Sequence, residues 1–346
     1  EFDECGVCNG IGPIFECING TLVCEESDCQ SNDQYYVLDL VETGSYQLII
    51  FQETITSLEV GDEVAIFDEN GVEQFQPAEV VIMACNGVGT PRILLNSQSD
   101  LYPDGLGNSS GLLGKNLMFH PYGLVRGVFD EPMDGNMGPG VCIWSQEFYE
   151  TDLSRGFVRG FTYECNRGMG PVSTALTGIL RGQIPAGEGF HDGFLKLDRR
   201  PTGMVGICEE LPEEHNRVTL DPELKDSYGI PAPKIDYTLS ENSKRMLDFV
   251  VERGSEVLKA AGAKEIYSET PISVGGWHLM GTARMGTDPD RSVVNEWGRS
   301  HDVKNLFVVD GSIFVTSAGV NPTRTIQALA LYVGDNMKKR LANLFD

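Results

Sequence analysis

The most promising candidate for a catalytic residue in this chain is a histidine in an apolar stretch. His278 lies in WHLMGTARMG, between Trp277 and Leu279. Apolar surroundings disfavour the charged imidazolium, so such a histidine stays neutral and can accept a proton near pH 7. A histidine with these neighbours can equally be a hydrogen-bonded core residue. The stretch therefore predicts a general base only if other functional groups converge on it.

Two later stretches supply such groups. The strand LFVVD ends in Asp310-Gly311, at the edge where open α/β sheets bind their ligands. Gly311 would let a ligand approach the backbone closely, although Asp-Gly after a strand is also a common turn. Further on, Asn321 and Pro322 have the residue types of an N-cap and a first helical position. The amides at such a helix start favour developing negative charge, and Asn321 could hold a substrate oxygen while His278 takes its proton.

Three stretches of the sequence together resemble the motifs of the glucose-methanol-choline (GMC) oxidoreductases. They are GWHLMGTARMG, NLFVVDGSIFVTSAGVNPTRTIQALAL and CNGVGTPRILLNS. The pattern HxMGTxRMG followed by DGSxFxTSxGxNPTxTIxALA is most similar to the bacterial sugar and polyol dehydrogenase branch. The likeness extends from about Phe67 to the C-terminus, and the motifs in this order are specific although each alone is not.

The resemblance implies an FAD-dependent oxidoreductase that acts on the CH–OH group of a sugar, polyol or other alcohol by hydride transfer to the flavin. It implies His278 as the catalytic base, with Asn321 at a second catalytic position that the family fills with His or Asn. It also implies a set of flavin contacts at Asn86, Gly87, Asp310, Gly311, Pro322, Thr323 and Thr325. The small-molecule alcohol or sugar and the electron acceptor are left unidentified.

The elements that would position these residues predict an α/β protein. Val80 to Ala84 is a continuous apolar run typical of a strand covered on both faces. Gly87 then turns the chain into a helix, with Thr90 as N-cap and Pro91 as the first helical residue. The final strand, turn and helix of the chain repeat this pattern, which is typical of a doubly wound sheet.

The predicted organisation has four parts. Residues 77–115 and 272–346 form an FAD-binding, Rossmann-like doubly wound sheet that is incomplete at its N-terminus. Residues 116–271 form a substrate-binding domain of mainly antiparallel strands plus a helix capped by Ser240 and ending at Gly262. The remaining parts are a Cys-rich segment, 1–33, and a β-rich segment, 34–76.

The cysteines divide into two groups. Four of the nine are scattered in apolar or strand-like sequence typical of free thiols. The other five lie in the Cys-rich segment, where few large apolar residues are present and disulfides are favoured over a zinc site because no histidine is near; they are Cys5, Cys8, Cys17, Cys24 and Cys29. Disulfides favour an exported or periplasmic protein and free thiols a cytoplasmic one, so the location stays open.

The dinucleotide fingerprint GxGxxG of the family is not found in this sequence, since GVGTPR and GLGNSS lack the third glycine. We therefore expect either a fragment or a fusion in which an unrelated N-terminal piece replaces the part that binds ADP. The alternative function is a cofactor-deficient extracellular binding or structural protein. A serine hydrolase is disfavoured: GNSSG matches GxSxG, but no strand leads to Ser109 as a nucleophile elbow requires.

Composition excludes several classes of partner. With 26 Lys and Arg against 51 Asp and Glu, the formal charge of -25 disfavours nucleic acids and anionic membrane surfaces. No apolar run approaches the ~20 residues of a membrane-spanning helix. No metal site is predicted because the remaining histidines have neither i, i+4 spacing nor acidic partners; they are His120, His191, His215 and His301.

Overall fold

The computed structural model describes residues 78, 80–134, 136–166, 168–272 and 276–340, together with four short strands nearer the N-terminus. The helices are α1 (Asn86–Asn96), α2 (Pro171–Leu180), α3 (Phe190–Leu197), α4 (Glu241–Ala260) and α5 (Thr323–Arg340). The strands are β1 (Phe15–Glu16), β2 (Leu22–Val23), β3 (Ala65–Phe67), β4 (Glu73–Phe75), β5 (Val81–Met83), β6 (Tyr122–Val128), β7 (Val141–Ser145), β8 (Phe161–Asn166), β9 (Pro201–Cys208), β10 (Arg217–Lys225), β11 (Pro231–Asp236), β12 (Glu265–Glu269) and β13 (Leu306–Val308).

Chain contacts divide the protein into two compact units, Glu1–Leu48 and Ile49–Asp346. In the first unit, β1 pairs with β2 in a short antiparallel hairpin. In the second unit, β3 and β4 form another antiparallel hairpin within the predicted β-rich segment. The five N-terminal cysteines and their predicted disulfides lie outside the described residues.

A parallel pair of strands joins two pieces of the second unit that are far apart in the sequence. β5 lies beside β13, with Ile82 opposite Phe307, so both pieces share one sheet as predicted. Met83 is buried in the core cluster on one side of this sheet. The expectation that the β5 run is covered on both faces is wrong at Ile82, which is 38% exposed because alternate side chains of a strand point to opposite faces.

Helix α1 begins earlier than its sequence predicts. The expected N-cap at Thr90 and first helical residue at Pro91 are wrong, because the helix already starts at Asn86. The Oδ1 atom of Asn86 accepts hydrogen bonds from two of the first amides, at 2.9 and 3.2 Å. This side chain therefore does the capping that was assigned to Thr90.

The proline inside α1 leaves one helical carbonyl without its usual donor. Pro91 has no N–H to give to the carbonyl of Gly87, four residues earlier. The buried hydroxyl of Thr282 donates to that carbonyl instead, at 2.9 Å. A residue of the His278 motif thus completes the hydrogen bonding of a distant helix.

A five-stranded antiparallel sheet in the order β12-β6-β9-β8-β7 confirms the mainly antiparallel architecture expected after residue 115. Strands β10 and β11 form a separate ribbon. The sequence did not predict α2 and α3, whereas α4 begins after Ser240 as expected, with the Ser240 hydroxyl accepting from the amide of Ser243. The division into domains stays a prediction.

Helix α4 covers one face of the antiparallel sheet and leaves the other face to the functional residues. The covered face includes Val125 and Tyr163, which pack with Val250 of the helix. The opposite face carries the apolar cluster of Tyr122, Leu124, Val205 and Ile207. None of the helices in the described part of the chain is long and apolar enough to cross a membrane.

Helix α5 starts one residue later than expected. The amide of Ile326 donates to the carbonyl of Pro322 at 2.9 Å, which makes Pro322 the N-cap and Asn321 the residue before it. The expected N-cap role of Asn321 is therefore wrong by one position, and its side chain is available for another contact.

Replacing Gly206 by alanine is expected to destabilise the protein through this helix–sheet contact. A Cβ atom at Gly206 would lie 2.6 Å from a methyl carbon of Val250. Such overpacking lowers the free energy of unfolding by about 1–3 kcal/mol. Denaturant unfolding should show that loss and its partial recovery in the double variant Gly206→Ala/Val250→Ala.

The matched control is Gly140→Ala, since no atom lies within 4 Å of a Cβ built there. Equal stability of the Gly206 and Gly140 variants would contradict the proposed close contact between β9 and α4.

Candidate active site

A buried carboxylate joins the two sequence-distant pieces at the end of β13. One oxygen of Asp310 accepts from the amide of Asn86 at 3.0 Å and from the hydroxyl of Thr90 at 2.5 Å. The other oxygen accepts from the amide of Ser312 at 2.8 Å. Asp310 is 7% exposed, so these charge-assisted bonds fix the start of α1 against the turn that follows β13.

Two glycines of the predicted cofactor motifs make room for the backbone next to His278. A Cβ atom at Gly87 would lie 2.9 Å from the carbonyl of Leu279, and one at Gly311 would lie 2.6 Å from the same oxygen. Any larger residue at either place would displace the Leu279 peptide. The group that approaches Gly311 closely is thus the backbone of the protein itself.

Met280, which follows Leu279, sets the position of His278 along the chain relative to a second histidine, His120. The backbone of Met280 pairs with that of Met118 in an antiparallel bridge, with N–H···O distances of 2.9 and 3.0 Å. His278 precedes Met280 by two residues and His120 follows Met118 by two, so antiparallel register places the two histidines opposite each other. His278 also adopts a positive φ of 64°, which is uncommon outside glycine.

The imidazole rings of His120 and His278 are in direct contact. Their Nδ1 atoms lie 2.8 Å apart, and the hydroxyl of Tyr122 lies 2.8 Å from Nδ1 of His278. On its other side, Nε2 of His120 lies 3.0 Å from the carbonyl oxygen of Ser317 and 2.7 Å from that of Ala318. Within the described part of the chain, the hydrogen-bond partners of the His278 ring both contact Nδ1.

Burial keeps both histidines uncharged. His120 is 1% exposed, and burial followed by the neighbouring His278 lowers its pKa from 6.5 to about 4. Burial also lowers the pKa of the half-buried His278. The predicted proton acceptor is thus neutral near pH 7, as its apolar sequence neighbours suggested.

Asn321 is hydrogen-bonded to a carboxylate, Glu164, on the face of the antiparallel sheet that carries Tyr122. Its Nδ2 donates to Oε1 of Glu164 at 2.8 Å. The register of the sheet places Glu164 two residues along from the position aligned with Tyr122, and hence on the Tyr122 face. Burial raises the pKa of Glu164, and burial together with the Glu164 charge raises the pKa of Tyr122. Two hydrogen-bonded pairs, Tyr122–His278 and Asn321–Glu164, therefore lie at one face of the sheet, and the charge of Glu164 acts on Tyr122. These four residues are called the polar cluster.

A second carboxylate lies buried behind His120. Glu210 is 1% exposed and accepts from the amide of Phe119 at 2.7 Å and from the hydroxyl of Tyr237. Its own amide donates to the Ser317 hydroxyl at 2.8 Å. Burial raises the pKa of Glu210 to about 7. Glu210 thus links the backbone that precedes His120, at Phe119, to Ser317, whose carbonyl contacts the His120 ring.

The structure brings the predicted site residues together in two neighbouring groups. Gly87 and Gly311 confine the Leu279 peptide, and their chain neighbours Asn86 and Asp310 are hydrogen-bonded to each other, whereas His278 and Asn321 belong to the polar cluster on the sheet. At the start of α5, Pro322 is buried, while the side chains that follow it are exposed; these are Thr323 and Thr325. Gly311 connects the groups, since a Cβ there would lie 3.4 Å from Ile326 of α5.

Sequence reasoning missed His120, Tyr122 and Glu164. His120 and Tyr122 flank a proline at the start of β6, and Glu164 alternates with core residues along β8. The available indication was that polar residues alternate with buried ones along these strands. Polar residues in such a pattern more often lie on a solvent-exposed sheet face than in a functional site. Within the described ranges, no group of three or more His, Cys, Asp or Glu side chains could hold a metal ion.

Comparison with known sequences gives consistent matches. The GMC oxidoreductase family model matches residues 212–330. The chain is 40% identical to 2-methyl-1,2-propanediol dehydrogenase of Mycolicibacterium austroafricanum over 272 residues, which cover 78% of this chain and 49% of that protein. It is 35% identical to paromamine 6'-oxidase of Streptomyces fradiae over 263 residues, or 73% of this chain and 44% of that protein. The chain spans about half the length of these curated relatives.

Solved structures share the fold at lower sequence identity. Formate oxidase of Aspergillus oryzae RIB40 aligns with a TM-score of 0.56 and 17% identity, covering 82% of this chain and 58% of that one. Pyridoxine 4-oxidase from Mesorbium loti aligns with a TM-score of 0.53 and 15% identity, covering 80% and 54%. These matches confirm the predicted α/β fold class.

The buried groups around His120 predict opposite pH dependences of stability. The folded pKa of His120, about 4, lies below its ordinary 6.5, so its contribution is complete above pH 6.5 and is lost as the pH falls towards 4. The folded pKa of Glu210, about 7, lies above its ordinary 4.5, so its contribution is complete below pH 4.5 and is lost as the pH rises through 7. Each effect amounts to about 1.4 kcal/mol per pH unit.

The measurement is chemical unfolding of the unmodified protein, His120→Gln and Glu210→Gln between pH 4.5 and 7. Relative to the unmodified protein, His120→Gln should gain about 2–3 kcal/mol in stability on going from pH 6.5 to 4.5. Glu210→Gln should show the reverse trend, gaining stability as the pH rises. Parallel pH curves for all three proteins would contradict the assignment of two buried, oppositely shifted groups.

Proposed function

Because the chain belongs to the GMC oxidoreductase family, we propose that it carries the catalytic site of an FAD-dependent oxidoreductase acting on the CH–OH group of an alcohol, polyol or sugar. The names of its relatives support this reaction class, since they include a propanediol dehydrogenase, a paromamine 6'-oxidase and a fructose dehydrogenase. The observation that carries the proposal is the half-buried His278, whose pKa is lowered by burial and whose ring contacts Tyr122, on the sheet face where Glu164 binds Asn321.

His278 is the proposed general base. Oxidation of a carbinol requires loss of the hydroxyl proton together with the hydride on carbon, and a neutral imidazole can accept that proton. The packing of the Leu279 peptide against Gly87 and Gly311 confines the backbone beside His278, and the contacts of Nδ1 with His120 and Tyr122 orient its ring. Fixed geometry of this kind is what a proton-transfer step needs.

Asn321 is the proposed holder of the substrate oxygen. A carboxylate only accepts hydrogen bonds, so the contact with Glu164 identifies the atom facing it as Nδ2. The amide nitrogen has two N–H groups and gives one to Glu164, which leaves the other for the substrate oxygen. Glu164 thereby orients Asn321, and the buried apolar side chains of Leu124 and Val205 lie on the same face of the sheet.

The start of α5 fits the flavin contacts that the sequence predicted. The first helical hydrogen bond is donated by Ile326, so the amides before it have no partner within the helix. Thr323 and Thr325 are exposed there and would hold the cofactor with Pro322 between them and the core. When bound, FAD supplies the acceptor for the hydride, and the helix start favours negative charge on its ring system.

The other predicted flavin contacts lie around α1. The backbone of Asn86 and Gly87 begins this helix, and Asp310 holds it in place through its contacts with Asn86 and Thr90. We propose that Asp310 acts mainly by positioning these groups and the Gly311 turn, because three protein donors already bind its carboxylate. Since GxGxxG is not found in the sequence, flavin binding is the property to test first.

The first experiment combines flavin titration with a dye-reduction and oxygen-uptake screen over alcohols, polyols and sugars. His278→Ala should bind FAD normally but lower kcat by about 10²- to 10⁴-fold, the usual contribution of a general base. His215→Ala is the matched control because His215 is exposed, and it should behave as the unmodified protein.

Two results would oppose the proposal in different ways. Equal activity of His278→Ala and the unmodified protein would remove His278 from the mechanism. A protein that neither contains nor binds flavin would favour the alternative function, a cofactor-free binding or structural protein.

A second prediction concerns Asn321 and its carboxylate partner. Asn321→Ala should lower kcat/KM by about 10²-fold, as loss of one donor to a reacting oxygen does elsewhere. Glu164→Gln should cause a smaller loss than Glu164→Ala, because a glutamine oxygen can still accept from Nδ2. Steady-state kinetics of the three variants measures this order, and identical values for Glu164→Gln and Glu164→Ala would show that Glu164 does not orient Asn321.

A further inference from the structure

We propose that His120 is a positioning residue that fixes the tautomer of His278, so that Nδ1 of His278 carries the hydrogen and Nε2 is left as the proton acceptor. The inference rests on the proposed function of His278 as a base and specifies which of its two nitrogens does the work. It follows from hydrogen-bond polarity along a short series of contacts.

The polarity is set at the carbonyl groups of Ser317 and Ala318. Both oxygens lie within 3.0 Å of Nε2 of His120, and a carbonyl oxygen can only accept a hydrogen bond. Nε2 of His120 must therefore carry a hydrogen. These carbonyls are themselves fixed, since the Ser317 hydroxyl is bonded to the backbone of Glu210 and a Cβ at Gly319 would lie 3.0 Å from the carbonyl of Gly160.

The charge of His120 decides what its other nitrogen can do. The ring is 1% exposed, and its pKa of about 4 keeps it neutral at physiological pH. A neutral imidazole with a hydrogen on Nε2 has a lone pair on Nδ1. Nδ1 of His120 is therefore an acceptor.

The contact between the two rings then determines the state of His278. Its Nδ1 lies 2.8 Å from Nδ1 of His120. If both atoms carried lone pairs at this distance, the lone pairs would repel each other. Nδ1 of His278 must carry the hydrogen and donate it. A neutral His278 in this state has its lone pair on Nε2, and this is the nitrogen that can remove a substrate proton.

Tyr122 is compatible with this arrangement as a second acceptor. Its hydroxyl oxygen lies 2.8 Å from Nδ1 of His278 and can share the hydrogen donated by that atom. Burial and the charge of Glu164 raise the pKa of Tyr122, so it stays a neutral phenol. The opposite arrangement, with Tyr122 donating to His278, would place a lone pair of His278 against His120 or require a charged His120 in a buried position.

The backbone geometry keeps the rings of His120 and His278 in contact. The bridge between Met118 and Met280 sets the register of the two histidines, and the Leu279 peptide is confined by Gly87 and Gly311. The tautomer of His278 is therefore imposed by the fold and does not depend on a bound substrate.

The direct test is nitrogen-15 NMR of protein labelled at its five histidines, with His278 assigned by comparison with His278→Gln. At pH 7.5 we expect hydrogen on Nδ1 and a bare Nε2 in His278, and hydrogen on Nε2 in His120. A hydrogen on Nε2 of His278, or a charged His120, would overturn the inference. The measurement needs no turnover, so an inactive protein with the expected tautomers would oppose only the proposed function.

Two variants at position 120 test the consequence for catalysis. In His120→Asn, Oδ1 takes the place of Nδ1 and can still accept from His278, whereas His120→Gln keeps a group near the backbone carbonyls and loses that acceptor. We expect His120→Gln to lower kcat about 10- to 100-fold with a smaller change in KM, and to show mixed tautomers of His278. His120→Asn should retain most of the activity and the Nδ1 hydrogen. Equal losses in the two variants, with unchanged tautomers, would assign His120 a merely structural role.

Discussion

The confinement of one peptide group, that of Leu279, is the constraint on which the site depends. Gly87 and Gly311 come from pieces of the chain more than two hundred residues apart, and both lack the side chain that would push this peptide away. Met280 is then bonded to the backbone of Met118. Close packing on three sides leaves His278 little freedom, which explains how a residue with a positive φ can be held in one place.

Burial has a second effect, which is to disfavour the charged forms of the titratable groups around His278. His120 is disfavoured as an imidazolium and Glu210 is disfavoured as a carboxylate, so hydrogen bonds more than ion pairs order this region. A hydrogen bond between neutral groups has a definite donor and acceptor. Its direction can therefore be passed from the carbonyls of Ser317 and Ala318 to the ring of His278.

The proposed chemistry uses two kinds of structure for two tasks. The α/β part supplies the start of α5, whose first amides have no partner within the helix and suit a negatively charged or oxygen-rich cofactor. The antiparallel sheet supplies a rigid face on which Tyr122 and Glu164 stand beside apolar residues. Where the two meet, a neutral base and an amide donor lie within one cluster, an arrangement suited to removing a proton from a hydroxyl group.

Local patterns in the sequence were sufficient for several features of the molecule. The apolar runs predicted β5 and β13 and their place in one sheet, and the Ser240 cap with helical spacing predicted α4. The order of motifs identified the family, and the apolar neighbours of His278 indicated a neutral imidazole. Such features depend on residues close in the sequence, so they can be read without knowing the fold.

Tertiary structure decided the features that depend on residues far apart in the chain. The start of α1 was predicted wrongly because the sequence does not show that Thr282 would satisfy the carbonyl left open by Pro91. The partnership of His278 with His120 was missed for the same reason, since 158 residues separate them and the bridge between Met118 and Met280 brings them together. The sequence by itself determined which groups were available for chemistry. The fold decided which of them touch and in which direction each hydrogen bond runs, because contact and polarity are properties of three-dimensional packing.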